Sequence, residues 1–111
     1  VPRYVILRHT GGPDPDHYDF MLEAGDALKT WTVHSLDWTT PQSAAQNRDH
    51  RLAYLQYEGP IAGNRGEVRR VAAGEYEAVL WGPDRISVRF DDGRSLSLVR
   101  IDGTRWTIGP V

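Results

Sequence analysis

Downstream of Gly63 the chain is punctuated so often that only short extended segments fit between the turns. Glu67 to Val71, Glu75 to Trp81, Arg85 to Asp91, Ser95 to Ile101 and Arg105 to Ile108 are brief runs parted by Ala-Ala-Gly, Gly-Pro-Asp, Asp-Asp-Gly and Asp-Gly-Thr. Short strands at this spacing, joined by Gly/Asp turns, indicate an all-β sandwich or a small barrel. Closure into a barrel removes open sheet edges and helps a small β protein stay monomeric. The expected fold is therefore all-β: a small closed or nearly closed β-barrel with little helix. With 111 residues, it forms one domain over 1–111.

The first half of the chain carries the chemistry. Arg3 to Arg8 reads as a strand with His9 at its end, and His17 to Glu23 alternates strictly. Successive strand residues point to opposite faces, so Tyr18, Phe20 and Leu22 are expected in the core. His17, Asp19, Met21 and Glu23 then share the other face. The intervening loop with Gly11, Gly12, Pro13 and Pro15 is expected to fold His9 back toward His17 and Asp19. Two imidazoles and a carboxylate make a candidate divalent-metal site. Ala24-Gly25-Asp26 reads as a hairpin turn and Leu28 to His34 as the returning strand. Ser35 to Pro41 reads as loop, and Gln42 to Asn47 as the possible start of a short helix. Trp31 and Trp81 are expected in the core, while His34, Trp38 and Trp106 are assigned structural roles.

Composition narrows the function classes. The chain has no cysteine, which excludes disulfides and thiolate zinc sites and leaves His and carboxylate as metal ligands. The net charge of −2 excludes the overall basic field of a non-specific DNA binder. Twelve of the thirteen basic residues are Arg, and the exception is Lys29. Arginine suits bidentate phosphate contacts. No apolar run approaches a membrane span, and the start V-P-R-Y-V-I-L-R is not a signal peptide, so a cytoplasmic protein without a membrane partner is expected.

Four words then stand in order: R-Y-V-I-L-R-H, H-Y-D-F-M-L-E, A-L-K-T-W-T-V and D-H-R-L-A-Y-L-Q-Y-E-G-P-I. From about Arg3 to Gly66 the chain resembles the 3′-phosphoesterase domain of bacterial DNA ligase D, most closely its small stand-alone relatives. The resemblance implies a small β-barrel with a manganese-dependent site that trims 3′ ends of DNA or RNA. It removes a terminal ribonucleoside or a 3′-phosphate before end joining. The implied metal ligands fall on His9, His17 and Asp19, and the residues acting near the scissile phosphate on His50 and Tyr54. The family's lysine falls on Lys29. Zinc is the alternative metal, since it binds such donors more tightly than manganese.

The chain also departs from the family's pattern. Seven residues separate His9 from His17, more than the family has. Met21 stands where the family has a phosphate-binding arginine, and a second family arginine falls near Gln42 without a match. Lys29, Arg48, Arg51 and Arg65 are the candidates to supply the missing phosphate contact, together with Arg8. Met21 is expected to border the metal pocket rather than the core. The function implied is a metal-dependent phosphoesterase for nucleic-acid 3′ ends, with a DNA ligase or polymerase as partner. Two other functions stay open. One is a catalytically weak or inactive metal- and nucleic-acid-binding accessory module of a ligase system. The other is an esterase for a smaller phosphorylated molecule.

Overall fold

Turn chemistry is spent on hairpins. The computed structural model describes all 111 residues, Val1–Val111. Its strands are β1 (Arg3–Thr10), β2 (His17–Ala24), β3 (Ala27–Val33), β4 (Gln42–Arg51), β5 (Gly59–Pro60), β6 (Glu67–Trp81), β7 (Arg85–Phe90), β8 (Ser95–Asp102) and β9 (Arg105–Pro110). A single 3-10 turn, Leu52–Leu55, is the one helical piece. Strand order is β1-β2-β3-β4-β9-β8-β7-β6, and β6 returns to β1, so eight antiparallel strands close a barrel as expected. β5 lies outside the ring, against the start of β6. Closure works because β6 changes neighbours: Glu67 to Glu75 pair with β1, and Tyr76 to Trp81 with β7. No helix is long and apolar enough to cross a membrane.

Two local expectations are corrected. Ala72-Ala73-Gly74 is not a turn, because β6 runs through it. Gly74 answers to a close approach instead: a Cβ there would lie 2.7 Å from an Asp91 carboxylate oxygen and 3.0 Å from the Tyr4 ring. Register shifts opposite Ile6/Leu7 and between Ala78 and Leu80 bend the strand around the barrel. Gln42 to Asn47 is strand rather than helix. Its backbone fills the gap between β3 and β9, and that pairing overrides the helical preference of Ala44 and Ala45. Ala44 is buried opposite Trp106, where a small side chain leaves space for the Trp31–Trp106 edge-to-face pair, 5.4 Å between centroids.

The barrel interior is one apolar cluster with members from all eight strands of the ring, including Ile6, Phe20, Trp31, Ala44, Tyr76, Phe90, Leu98 and Trp106. Phe20 and Leu22 point inward as alternation requires. Tyr18 is half-buried at the mouth, with the Arg8 guanidinium 5.3 Å over its ring. Trp38 packs on this cluster, in line with the structural role assigned to it and to Trp106. Trp81 is the exception: it is 41% exposed, since it ends β6 beyond the second register shift and beyond the contact with β1.

The outward face of the same strands is buried too. Val5, Leu7, Met21, Leu28 and Val68 form a second cluster with Leu55 of the 3-10 turn, and Leu52, Tyr54 and Ile61 pack against it. The segment after β4 is thus a cover laid on the outside of the barrel.

Candidate metal centre and its cleft

Each strand carries its outward face past the edge of this cover, and there it turns polar. On β1, Val5 and Leu7 are followed by His9; on β2, Met21 is preceded by Asp19 and His17. His9 and His17 are ladder partners, so the first histidine is delivered by the strand itself and the glycine loop is not needed to fold it back. His9 Nδ1 lies 3.1 Å from Asp19 Oδ2, and His17 Nε2 lies 3.1 Å from Asp19 Oδ1. The ligand atoms of all three residues fall within 4.8 Å of one another, and His17 and Asp19 are buried.

The opposite ring nitrogens decide what this cluster can hold. His9 Nε2–H donates to the Arg65 carbonyl at 2.7 Å, and His17 Nδ1–H to the Pro15 carbonyl at 2.8 Å. A carbonyl only accepts, so in the neutral rings both protons sit on those outer nitrogens. The nitrogens facing Asp19 then carry lone pairs. Two lone pairs and a carboxylate converging on one point make a donor set that could hold a cation. Backbone carbonyls that orient imidazoles in this way are the usual support of metal-ligating histidines. The donor set fits manganese, iron or zinc.

Glycines make the Arg65 contact possible. Gly66 has φ 84, and a Cβ on it would sit 2.2 Å from the Thr10 carbonyl. A Cβ on Gly12 would lie 2.8 Å from the Arg65 carbonyl oxygen. The β5–β6 loop therefore closes on the end of β1 only because neither side has a side chain. Asp16 braces the β1–β2 loop by accepting from the Gly11 N–H at 3.1 Å.

The cluster opens on a cleft of about 740 Å³, lined also by His34, Arg48 and His50. His50 Nδ1–H donates to the Arg48 carbonyl at 2.9 Å, which leaves Nε2 unengaged. Tyr54 meets the His50 ring edge-on at 5.6 Å. A small cavity of about 70 Å³ adjoins the cleft, with His9, Asp19, Met21, His50, Tyr54 and Arg65 among its walls. The residues expected to share the site are thus brought together, apart from three, the first being Arg8, which lies over the Tyr18 ring instead. Lys29 does not line the cleft; alternation turns it from Leu28 and Thr30, and it pairs with Asp49 at 3.4 Å. Arg51 lines a neighbouring hollow with Tyr54, Tyr57 and Arg65. Met21 requires a correction. It does border the small cavity, but it is only 1% exposed and belongs to the outer apolar cluster. The face it shares with Asp19 is itself covered.

Charge is distributed unevenly around the site. Seven of the twelve arginines, Arg3, Arg69, Arg70, Arg89, Arg94, Arg100 and Arg105, are ion-paired. Three of the remaining five, Arg48, Arg51 and Arg65, line the cleft or the hollows beside it. His34 is the residue that sequence reasoning missed. It lines the cleft, its ring 6.5 Å from that of His17. The signal was present: alternation groups it with Thr32, which is the ladder partner of Asp19. Glu23, on the ligand face of β2, is at the far end, where it accepts from the Arg3 N–H at 2.8 Å.

The family model described as the DNA ligase D 3′-phosphoesterase domain matches residues 8–107. The match continues past Gly66 through β7, β8 and the first half of β9. The multifunctional non-homologous end joining protein LigD of Pseudomonas aeruginosa is 39% identical over 62 residues, which cover 53% of this chain and 7% of that protein. The chain therefore corresponds to a small part of that relative.

Proposed function

The chain belongs to the DNA ligase D 3′-phosphoesterase domain family, and on that premise we propose that it is a metal-dependent phosphoesterase acting on 3′ ends of DNA or RNA in end joining. The observation that carries the reading is the convergence of two imidazole nitrogens and a carboxylate on one point, beside a cleft that also receives His50. His9 Nδ1, His17 Nε2 and the Asp19 carboxylate would hold the ion, manganese first and zinc second. Such an ion supplies charge neutralisation and polarisation at a phosphoryl oxygen. Arg48 and Arg65 bind the remaining phosphate oxygens, since both guanidinium groups lack a carboxylate partner and adjoin the site. His50, protonated at Nε2, donates to the phosphate or to the leaving oxygen, while its Nδ1–H stays on the Arg48 carbonyl. The Tyr54 hydroxyl donates a further hydrogen bond to the same group. The partner in repair is a ligase or polymerase that needs a clean 3′-hydroxyl.

The test is release of phosphate from a 3′-phosphorylated primer in the presence of manganese. His50→Ala is expected to lower the rate by about 10²-fold or more, the usual contribution of a positioned acid or base. His17→Ala is expected to abolish stoichiometric manganese or zinc binding in calorimetry while circular dichroism stays that of a β-barrel. Unchanged metal binding would overturn the site assignment. A second reading is an accessory module that binds metal and nucleic acid without turnover. The observation favouring it is Met21, an uncharged, buried residue where the resembling family has arginine. Metal binding without phosphate release would select that reading.

A further inference from the structure

The cleft does not absorb all the aromatic and cationic surface beside it. A second hollow of about 300 Å³ lies beyond Tyr54, walled by Tyr54 and Tyr57, floored by Pro60 and Ile61 and rimmed by Arg51 and Arg65. The small cavity joins it to the metal cluster, because Tyr54, Ile61 and Arg65 line both. His50, Tyr54 and Tyr57 form a row of rings leading from the cleft into the hollow, with steps of 5.6 and 5.9 Å.

The hollow is built rather than incidental. The Tyr57 hydroxyl donates to the Pro60 carbonyl, which holds its ring although the residue is 39% exposed. The Ile61 N–H donates to the Gly66 carbonyl at 2.8 Å, and Arg65 Nε–H to the Ala62 carbonyl at 2.7 Å. Glu58 accepts from the Arg70 N–H at 2.9 Å and pins the same segment to β6. Neither Arg51 nor Arg65 makes an ion pair, in a protein that pairs most of its arginines. Fixed aromatic rings with unpaired guanidinium groups suit a flat π-system that carries phosphate nearby. A nucleobase is such a group: stacking on tyrosine and on arginine holds it whatever its sequence.

We propose that this hollow seats the nucleobase of the nucleotide whose 3′-phosphate lies at His9, His17 and Asp19. The proposal rests on the phosphoesterase reading and extends it to the substrate class: a nucleotide-bearing end, taken without base preference. Tyr57 and Arg51 act in binding and stand outside the chemistry.

Two 3′-phosphorylated oligonucleotides test it, one ending in a thymine nucleotide and one in an abasic nucleotide. With the wild-type chain and manganese, KM for the abasic end is expected to be about tenfold higher, the scale of one stacked base. In Tyr57→Leu the gap should close through a rise in KM for the thymine end, with kcat unchanged, and Tyr57→Trp should restore it. Arg51→Ala, at an exposed site, should narrow the gap without touching the fold. Equal KM values in the wild type, or a gap that Tyr57→Leu leaves intact, would overturn the proposal. Absence of turnover on both substrates would instead remove the phosphoesterase reading. Photo-crosslinking then decides the hollow alone, with an oligonucleotide ending in 5-iodouracil. Adducts on Tyr54 or Tyr57 uphold the seat; adducts elsewhere, or none, dismiss it.

Discussion

The inward and outward faces of β1, β2 and β3 come from the same alternating residues and end in different chemistry. The inward face, with Ile6, Phe20 and Trp31, is apolar through the barrel interior, where Trp38 of the β3–β4 loop also packs, and turns polar only at its ends, at Arg8 and Lys29. The outward face is apolar at Val5, Leu7, Met21 and Leu28, where the segment from Leu52 to Ile61 covers it. It becomes His9, Asp19, His17, Thr32 and His34 where the cover stops. An inner face has no access to water and must be filled with side chains. An outer face is free to change character at the boundary of whatever lies on it. The polar cluster therefore stands on a dry floor, where charges interact more strongly than they do in water.

Truncation on the two faces separates their duties. Phe20→Ala should cost about 3–5 kcal/mol in urea denaturation, a large part of a total stability of about 5–15 kcal/mol. Leu55→Ala should cost about 2 kcal/mol, at the low end for a buried leucine, because the cover can settle onto the barrel. It should lower 3′-phosphate release more than Phe20→Ala does under conditions where both variants are folded. Equal losses of stability would erase the distinction between core and cover.

Met21→Arg probes the boundary itself. The arginine has to leave the apolar cluster and enter the small cavity beside His50. A charge-assisted hydrogen bond contributes about 1.5–3 kcal/mol, so cleavage of a 3′-phosphate end should rise about tenfold. Thermal stability should fall by about 1–3 kcal/mol as a buried apolar side chain becomes polar. Unchanged or lower turnover by a folded, metal-loaded variant would place the phosphate contact elsewhere, with Arg48 and Arg65 the next residues to replace.

The smallest effect belongs to the end of the barrel away from the cleft. The Tyr76 hydroxyl donates to the Glu23 carbonyl at 2.5 Å. Burial, assisted by the Glu23 charge, pushes its phenol up from 10.0 to about 12. The raised value favours the protonated folded state. Its share of stability is therefore full below about pH 10 and is lost as pH rises from about 10 to about 12. Tyr76→Phe should cost about 1 kcal/mol at neutral pH by removing one hydrogen bond. It should also flatten the alkaline decline in denaturation curves and leave phosphate release unchanged. An alkaline decline as steep in the variant would assign it to other groups, such as Tyr4, which burial also raises.

What could be read in the sequence was whatever has a period of two or a turn residue. The strands from β1 to β3, the inward set of Phe20 and Leu22, and the shared face of His17 and Asp19 follow from alternation alone. The features that escaped depend on partners distant in the chain. Gly74 looks like a turn signal until Asp91 and Tyr4 are seen against it. The alanines of β4 look helical until β3 and β9 are placed on either side. Met21 looks like a pocket residue because nothing near it announces that Leu55 will cover it. The carbonyls of Pro15 and Arg65, which orient the two imidazoles, leave no side-chain trace at all, and only the glycines around Arg65 hint at them.

Because His9 and His17 face each other across a ladder, their separation along the chain is not a dimension of the His–Asp cluster. Ladder partners keep their places however much chain turns the corner between them, so the seven residues here belong to the hairpin tip. A search pattern written with a fixed interval between the two histidines would pass over chains like this one. A pattern written in strand register, with the aspartate two residues past the second histidine, would find them. The tip is also where evolution or an engineer has latitude. Gly12 must stay bare against Arg65, and Pro15 must keep its carbonyl on His17. Between them, at Pro13 and Asp14, the chain is free to lengthen without moving either histidine.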